Sequence, residues 1–209
     1  MTLIYVATSN PGKLADFAAA ARQYGVNIQP LPGIDRISAP AETGNTFEEN
    51  ACLKAEYYSR LAREQILIAD DSGLTVEALN GDPGVRSARY AEDAGLSGED
   101  PDTANNQLLL ERTEGIPDSR RRCAFVCSIA AARGGKILKT FTAEAVGVLL
   151  RAPRGNNGFG YDPLFYFPEL SKTFAEISRE EKLKVSHRGK AFRLFLDWID
   201  KTKGGSKVN

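Results

Sequence analysis

The chain has 209 residues, 42% hydrophobic and 26% charged, enough to bury a sizeable core in one domain of one or two lobes. Lys plus Arg equal Asp plus Glu at 27 each, so no global field draws the chain to nucleic acid or to an anionic membrane surface. No apolar run reaches transmembrane length and no signal-peptide pattern opens the sequence, which predicts a cytoplasmic protein.

Three cysteines, an odd number, argue against a disulfide framework, and one histidine excludes a His-rich metal site. A metal here has to be held by carboxylates, and oxygen ligands suit Mg²⁺.

Residues 3–6 form an apolar run that predicts a strand, and residues 13–24 an alanine-rich helix with Gly25 as its terminator. Between them stand Thr8, Ser9, Asn10, Pro11, Gly12 and Lys13. A strand-to-helix junction turns backbone N–H groups and the positive end of a helix dipole toward one point. With hydroxyl, amide and lysine side chains beside it, the junction suits a phosphate. It is not a Walker A loop, because Ala7 and Leu14 stand where that pattern needs Gly and Ser or Thr. Ordinary turn chemistry at Asn-Pro-Gly is the competing explanation.

Residues 26–31 predict a second strand and residues 32–45 a loop punctuated by Pro and Gly. Thr46 to Glu49 form a capping box for a helix reaching about residue 63. The helix dipole accounts for Glu49, whereas Glu42 lies in the loop and is the better metal-ligand candidate. Lys54, inside that helix, either lays its stem along an apolar face or reaches a phosphate. Residues 66–69 predict a buried strand that ends at Asp70-Asp71. Two carboxylates there suit Mg²⁺ on a phosphate ester, or a base that polarises water. Successive strand side chains point to opposite sides, so one Asp can face the ligand while the other braces a loop. This βαβ order implies an α/β sheet with its ligand at the carboxyl ends of the strands.

Residues 74–79 predict a short strand before a turn at Asn80-Gly81, residues 82–98 a loop with a helical turn near Arg89, and residues 102–113 a helix ended by Gly115. Residues 122–132 and 136–149 predict a long hairpin about Gly134-Gly135, in which Cys123 and Cys127 are buried thiols. In the glycine-rich loop, Phe159 or Tyr161 offers a flat platform for a purine and Asp162 an acceptor for a ring N–H; a tight turn packed by aromatics is the plainer reading. The final helix, residues 187–201, places Phe192, Phe195, Leu196 and Ile199 on one face, with Ser186 set to cap it. Its start carries His187, Arg188 and Lys190, with Lys182 five residues before His187. Such cations oppose the helix dipole unless an anion or a base carbonyl docks there. A structural histidine and a short nucleic-acid patch are the alternatives. Residues 204–209 predict a frayed tail.

Seven segments keep their order across nearly the whole chain: TSNPGK (8–13), ETGNTFEENA (42–51), LKA (53–55), ADDSGL (69–74), PGVRSARY (83–90), GFGYDPLF (158–165) and SHRGKA (186–191). Together they resemble the inosine triphosphate pyrophosphatase family, in its bacterial dITP/XTP pyrophosphatase branch. The resemblance implies an α/β fold over residues 1–203, an elongated mixed sheet flanked by helices in two lobes with a central cleft, working as a homodimer. It also implies Mg²⁺-dependent hydrolysis of the purine nucleoside triphosphates ITP, dITP and XTP to the monophosphate and pyrophosphate. By position, Thr8 to Lys13 bind the phosphates, Asp71 is the proton acceptor and a metal ligand, and Glu42 is a second metal ligand. Ser72 lies beside Asp71 at the substrate, and Ser9 stands where relatives commonly have Gly. Phe159, Gly160, Tyr161, Asp162, Lys182, His187 and Arg188 line the nucleotide, mostly at its base. Donors from His187 or Arg188 to a 6-keto oxygen would disfavour adenine by ~10⁴-fold or more if the site is built around that bond. A pyrophosphatase of other base specificity, a non-catalytic nucleotide sensor and an RNA-binding module are the competing readings.

Overall fold

The computed structural model describes residues 2–8, 10–96, 98 and 100–204; Ser9 and most of the predicted tail lie outside the described residues. Strand β1 (Thr2–Val6) leads into helix α1 (Pro11–Ala21). The helix starts there because the Asn10 side chain accepts the Lys13 N–H at 3.1 Å, while Pro11 sits in a first turn that needs no N–H. A 3₁₀ turn, Arg22–Tyr24, closes it before Gly25 at φ 61°. Strand β2 (Val26–Pro30) then runs parallel to β1. The capping box of helix α2 (Phe47–Ser59) is complete, with Thr46 and Glu49 each accepting from the other's backbone. The helix stops short of residue 63, where Arg63 takes a left-handed φ of 54°.

Strand β3 (Ile66–Val76) corrects two expectations. It does not end at Asp70-Asp71, and residues 74–76 are its continuation rather than a new strand; Glu77–Leu79 is a 3₁₀ turn. Both carboxylates find cationic partners where they stand, so polarity does not break the strand. A 3₁₀ stretch, Gly84–Arg89, and helix α3 (Tyr90–Asp93) precede helix α4 (Pro101–Arg112), whose cap is the Asp100 carboxylate. The hairpin strands are β4 (Arg122–Arg133) and β5 (Lys136–Leu149). Gly134 and Gly135 turn between them at φ 56° and 81°.

Strands β6 (Phe165–Phe167) and β7 (Lys172–Thr173) and helix α5 (Arg179–Val185) were not predicted. The two strands are too short to show a period. The helix did carry a signal, a capping box at Ser178 and Glu181. Ser186 has extended backbone after α5, and helix α6 (His187–Gly204) runs on past residue 201. The seven strands form one mixed sheet in the order β2-β1-β3-β4-β5-β6-β7, parallel between β1 and its neighbours β2 and β3 and antiparallel from β5 to β7.

The chain divides into two compact units. One comprises Met1–Asp71, Cys127–Ala143 and Arg188–Asn209; the other comprises Ser72–Val126 and Glu144–His187. In the first, Phe17 packs on Phe192 with ring centroids 4.7 Å apart, and Phe195, Leu196 and Ile199 are buried as the α6 pattern predicted. A cluster of alanines, Ala51 and Ala55 from α2 with Ala69, Ala130 and Ala132 from β3 and β4, seats α2 close to the sheet. In the second unit, Phe125, Phe165 and Phe174 pack ring on ring, and Cys123 is buried. Among the described residues no helix is long and apolar enough to cross a membrane.

Candidate active site

The first unit holds a charged cluster built on β3. The Asp70 side chain is 2% exposed, and its Oδ2 accepts from Lys13 Nζ at 2.9 Å and faces Arg188 Nε at 3.5 Å. Burial alone would raise its pKa, but the charges of Lys13, Arg188 and Lys54 overcome burial and hold the carboxyl well below its ordinary range. Asp70 is thus a fixed anion. It draws together two cations from the first turns of α1 and α6, which answers the unfavourable charge noted at the start of α6.

Asp71 has the opposite character. Its Oδ1 accepts from Lys54 Nζ at 2.7 Å, and the same ammonium donates to Glu42 Oε1 at 2.9 Å. Burial raises the Asp71 pKa; Lys54 offsets part of this, and Glu42 and Asp70 add to it. A carboxylate so placed is a stronger proton acceptor than a free one. Lys54 keeps its proton, since Asp71 and Asp70 outweigh the effect of burial. Lys54 therefore reaches carboxylates rather than lying along an apolar face.

Asn50 also belongs to this cluster, a member that was not among the residues expected from the sequence. It is buried, its Nδ2 lies 3.5 Å from Asp71 Oδ2, and its Oδ1 accepts the Gly44 N–H at 2.8 Å. That bond pins the loop carrying Glu42. A Cβ on Gly44 would lie 2.6 Å from Glu49 Cβ and 2.7 Å from Asn50 Oδ1, so the loop seats only with glycine there. The i, i+4 spacing of Asn50 and Lys54 on α2 was the available signal.

The α1 junction is shaped from within. Thr8 Oγ1 accepts the Asn10 N–H at 3.1 Å, and Asn10 caps the helix behind Pro11. A Cβ on Gly12 would meet Asn10 Oδ1 at 2.9 Å. Glu42 and Asp71 converge on one ammonium, so their oxygens face a common point. Among the described residues no group of three or more His, Cys, Asp or Glu could hold a metal. Mg²⁺ is commonly held by one or two carboxylates, with substrate phosphates and waters completing its shell, and a Glu–Asp pair fits that mode.

The second unit gathers Phe159, Asp162 and Lys182. Phe159 is 42% exposed and lies between Gly158 and Gly160, at φ 79° and 62°. Asp162 is buried; its Oδ2 accepts the Phe159 N–H at 3.0 Å and pairs with Lys182 Nζ. Lys182 Nζ lies 4.8 Å from the centre of the Phe159 ring. A Cβ on Gly158 would fall 2.0 Å from Asp162 Oδ2. The Asp162 oxygen proposed for a ring N–H is thus taken up inside the loop. Tyr161 is buried in the aromatic core, its hydroxyl donating to the Ser87 carbonyl at 2.8 Å, so Phe159 is the exposed platform of the two. His187 is buried and stacks on Phe125 at 4.8 Å. Ser72 follows Asp71 within β3 and is half-buried.

Comparison with known proteins bears on this arrangement. The sequence model of the Ham1 family matches residues 4–198. A dITP/XTP pyrophosphatase of Acidobacterium capsulatum is 52% identical, over 92% of this chain and 96% of its own. One from Geobacillus kaustophilus is 46% identical, over 98% of each. Among solved structures, the Ham1 protein of Staphylococcus aureus superposes with a TM-score of 0.82 at 38% identity, covering 96% of this chain and all of that one. A nucleoside-triphosphatase / dITP/XTP pyrophosphatase from Mycobacterium abscessus gives 0.72 at 40% identity, covering 93% of this chain and 99% of that one. Family match, sequence identity and fold agree over nearly the full length, and the chain belongs to the Ham1 family.

Proposed function

We propose that the chain hydrolyses ITP, dITP and XTP to the nucleoside monophosphate and pyrophosphate, as a cytoplasmic homodimer using Mg²⁺. The names of its relatives supply the substrate class. The observation that carries the reading is the pair of adjacent aspartates on β3, Asp70 buried between Lys13 and Arg188 and Asp71 meeting Glu42 at the Lys54 ammonium.

Asp71 accepts the proton of a water that attacks the α-phosphorus, and pyrophosphate leaves. Lys54 steadies the Asp71 carboxylate before attack and lends positive charge to the phosphate oxygens. Lys13 binds phosphate oxygens at the start of α1, where the helix dipole favours an anion, with Asp70 keeping Lys13 in place; the Asn10 and Lys13 N–H groups are taken up within the junction by Thr8 and Asn10. Glu42 and Asp71 would hold Mg²⁺, which when bound neutralises charge growing on the phosphate oxygens. Phe159 gives the base a face to stack on, and donors from His187 or Arg188 favour a 6-keto purine.

The test is pyrophosphate release from ITP, dITP, XTP, GTP and ATP, with and without Mg²⁺. Release from the first three, far faster than from ATP, is expected. No release, or ATP turned over as fast as ITP, refutes the reading.

A further inference from the structure

We propose that Asp102 and Asn106, one turn apart on α4, are positioning residues that set the Phe159 platform and thereby govern nucleotide affinity. The inference rests on the assignment of Phe159 to the base. Phe159 is flanked by two glycines in left-handed conformation, whose backbone is permissive, so the place of the ring depends on the bonds that hold the loop. Its own N–H is held by Asp162, and the next residue is gripped from α4 at both backbone groups. The Gly160 N–H donates to Asp102 Oδ2 at 2.6 Å, and the Gly160 carbonyl accepts from Asn106 Nδ2 at 2.9 Å. The same Nδ2 donates to the Asp102 carbonyl at 2.9 Å, which closes a triangle of bonds around Gly160.

The amide orientation follows from its partners. Both are carbonyl oxygens, so the nitrogen has to face them. Asn106 Oδ1 is meanwhile buried with no hydrogen-bond partner among the described residues. An apolar side chain of similar size would avoid that orphaned acceptor. The amide is therefore explained by its donor, which holds the Phe159–Gly160 loop. A ring already set in place binds a base without first having to be ordered.

The experiment measures KM and kcat for ITP, the inhibition constant for pyrophosphate, and thermal midpoints in Asn106→Leu, Asp102→Ala and Asp102→Asn, with Phe159→Ala as reference. Asn106→Leu and Asp102→Ala are expected to raise KM about 3- to 10-fold, the range set by re-ordering one side chain. Pyrophosphate has no base, so its inhibition constant should not move. Asp102→Asn keeps an acceptor oxygen for the Gly160 N–H and should restore most of the affinity. If Phe159→Ala raises KM but the α4 variants do not, the positioning role is wrong and the base assignment stands. If KM and the pyrophosphate constant rise together, α4 acts only on the fold. An unchanged KM in Phe159→Ala overturns the base assignment, and the positioning role falls with it.

Discussion

Exchanging Asp70 or Asp71 for Asn removes the same charge from adjacent positions and should damage different properties. In Asp70→Asn, Lys13 and Arg188 lose their shared counter-charge. The Arg188 side chain is 5% exposed and cannot turn to water, whereas Lys13 at 22% partly can. Breaking a buried pair costs about 3–5 kcal/mol, and the exposure of Lys13 places this case near the lower end, about 3 kcal/mol. At about 2–4 °C per kcal/mol for a chain of this size, the thermal midpoint should fall by about 6–12 °C. Asp71→Asn behaves otherwise. The fold already disfavours charge on Asp71, and Lys54 keeps Glu42 as a partner, so the midpoint should hold or rise. Turnover should instead drop about 10²- to 10⁴-fold, the worth of a placed general base. Circular dichroism melts and pyrophosphate release, run on both variants, measure the two effects. Wild-type turnover in Asp71→Asn, or a wild-type midpoint in Asp70→Asn, would refute the division of labour.

Other outcomes follow from the same structure. The depressed pKa of Asp70 means its ionised form stabilises the fold above the ordinary carboxylate pKa. That contribution is lost as pH falls below about 4, so denaturant titrations of Asp70→Asn should show a shallower acid decline than wild type. Burial pushes Cys123 and Cys127 up to about 12, so the unfolded chain holds fewer protons above pH 9 and stability falls as pH rises toward that value. Each thiol adds a slope of about 1.4 kcal/mol per pH unit; urea unfolding of Cys127→Ala between pH 9 and 11 should recover one such slope. A Cβ at Gly73 would lie 2.2 Å from Ser87 Oγ and 2.6 Å from the Gly84 carbonyl, so Gly73→Ala should cost about 1–3 kcal/mol in a thermal melt. Chelation should abolish pyrophosphate release, and Glu42→Gln should raise the Mg²⁺ concentration needed to restore it.

What could be read in the sequence was local. The Thr46–Glu49 box and the apolar face of α6 each depend on residues within a turn or two, and each appears where the pattern placed it, whereas α1 begins at Pro11, two residues before the expected start. Bonds across long stretches of chain were not legible. Nothing near Asp70 foretells Arg188, 118 residues away, and nothing near Gly160 foretells Asp102 or Asn106. The same limit explains the choice between Phe159 and Tyr161. Both are aromatics in one loop, and only the bond from Tyr161 to Ser87 assigns one to the core. Strand β3 was cut too short because two acids look like a strand end until their partners are known.

The alanines beneath α2 carry a consequence for how this protein can vary. Methyl groups meet between that helix and β3 and β4 at Ala51, Ala55, Ala69, Ala130 and Ala132, which leaves little room for a larger side chain at these positions. Lys54 and Asn50 ride on the helix as cargo. A valine at any of these five sites would tilt the mount without touching either side chain. Drift there should silence the enzyme well before it unfolds the chain.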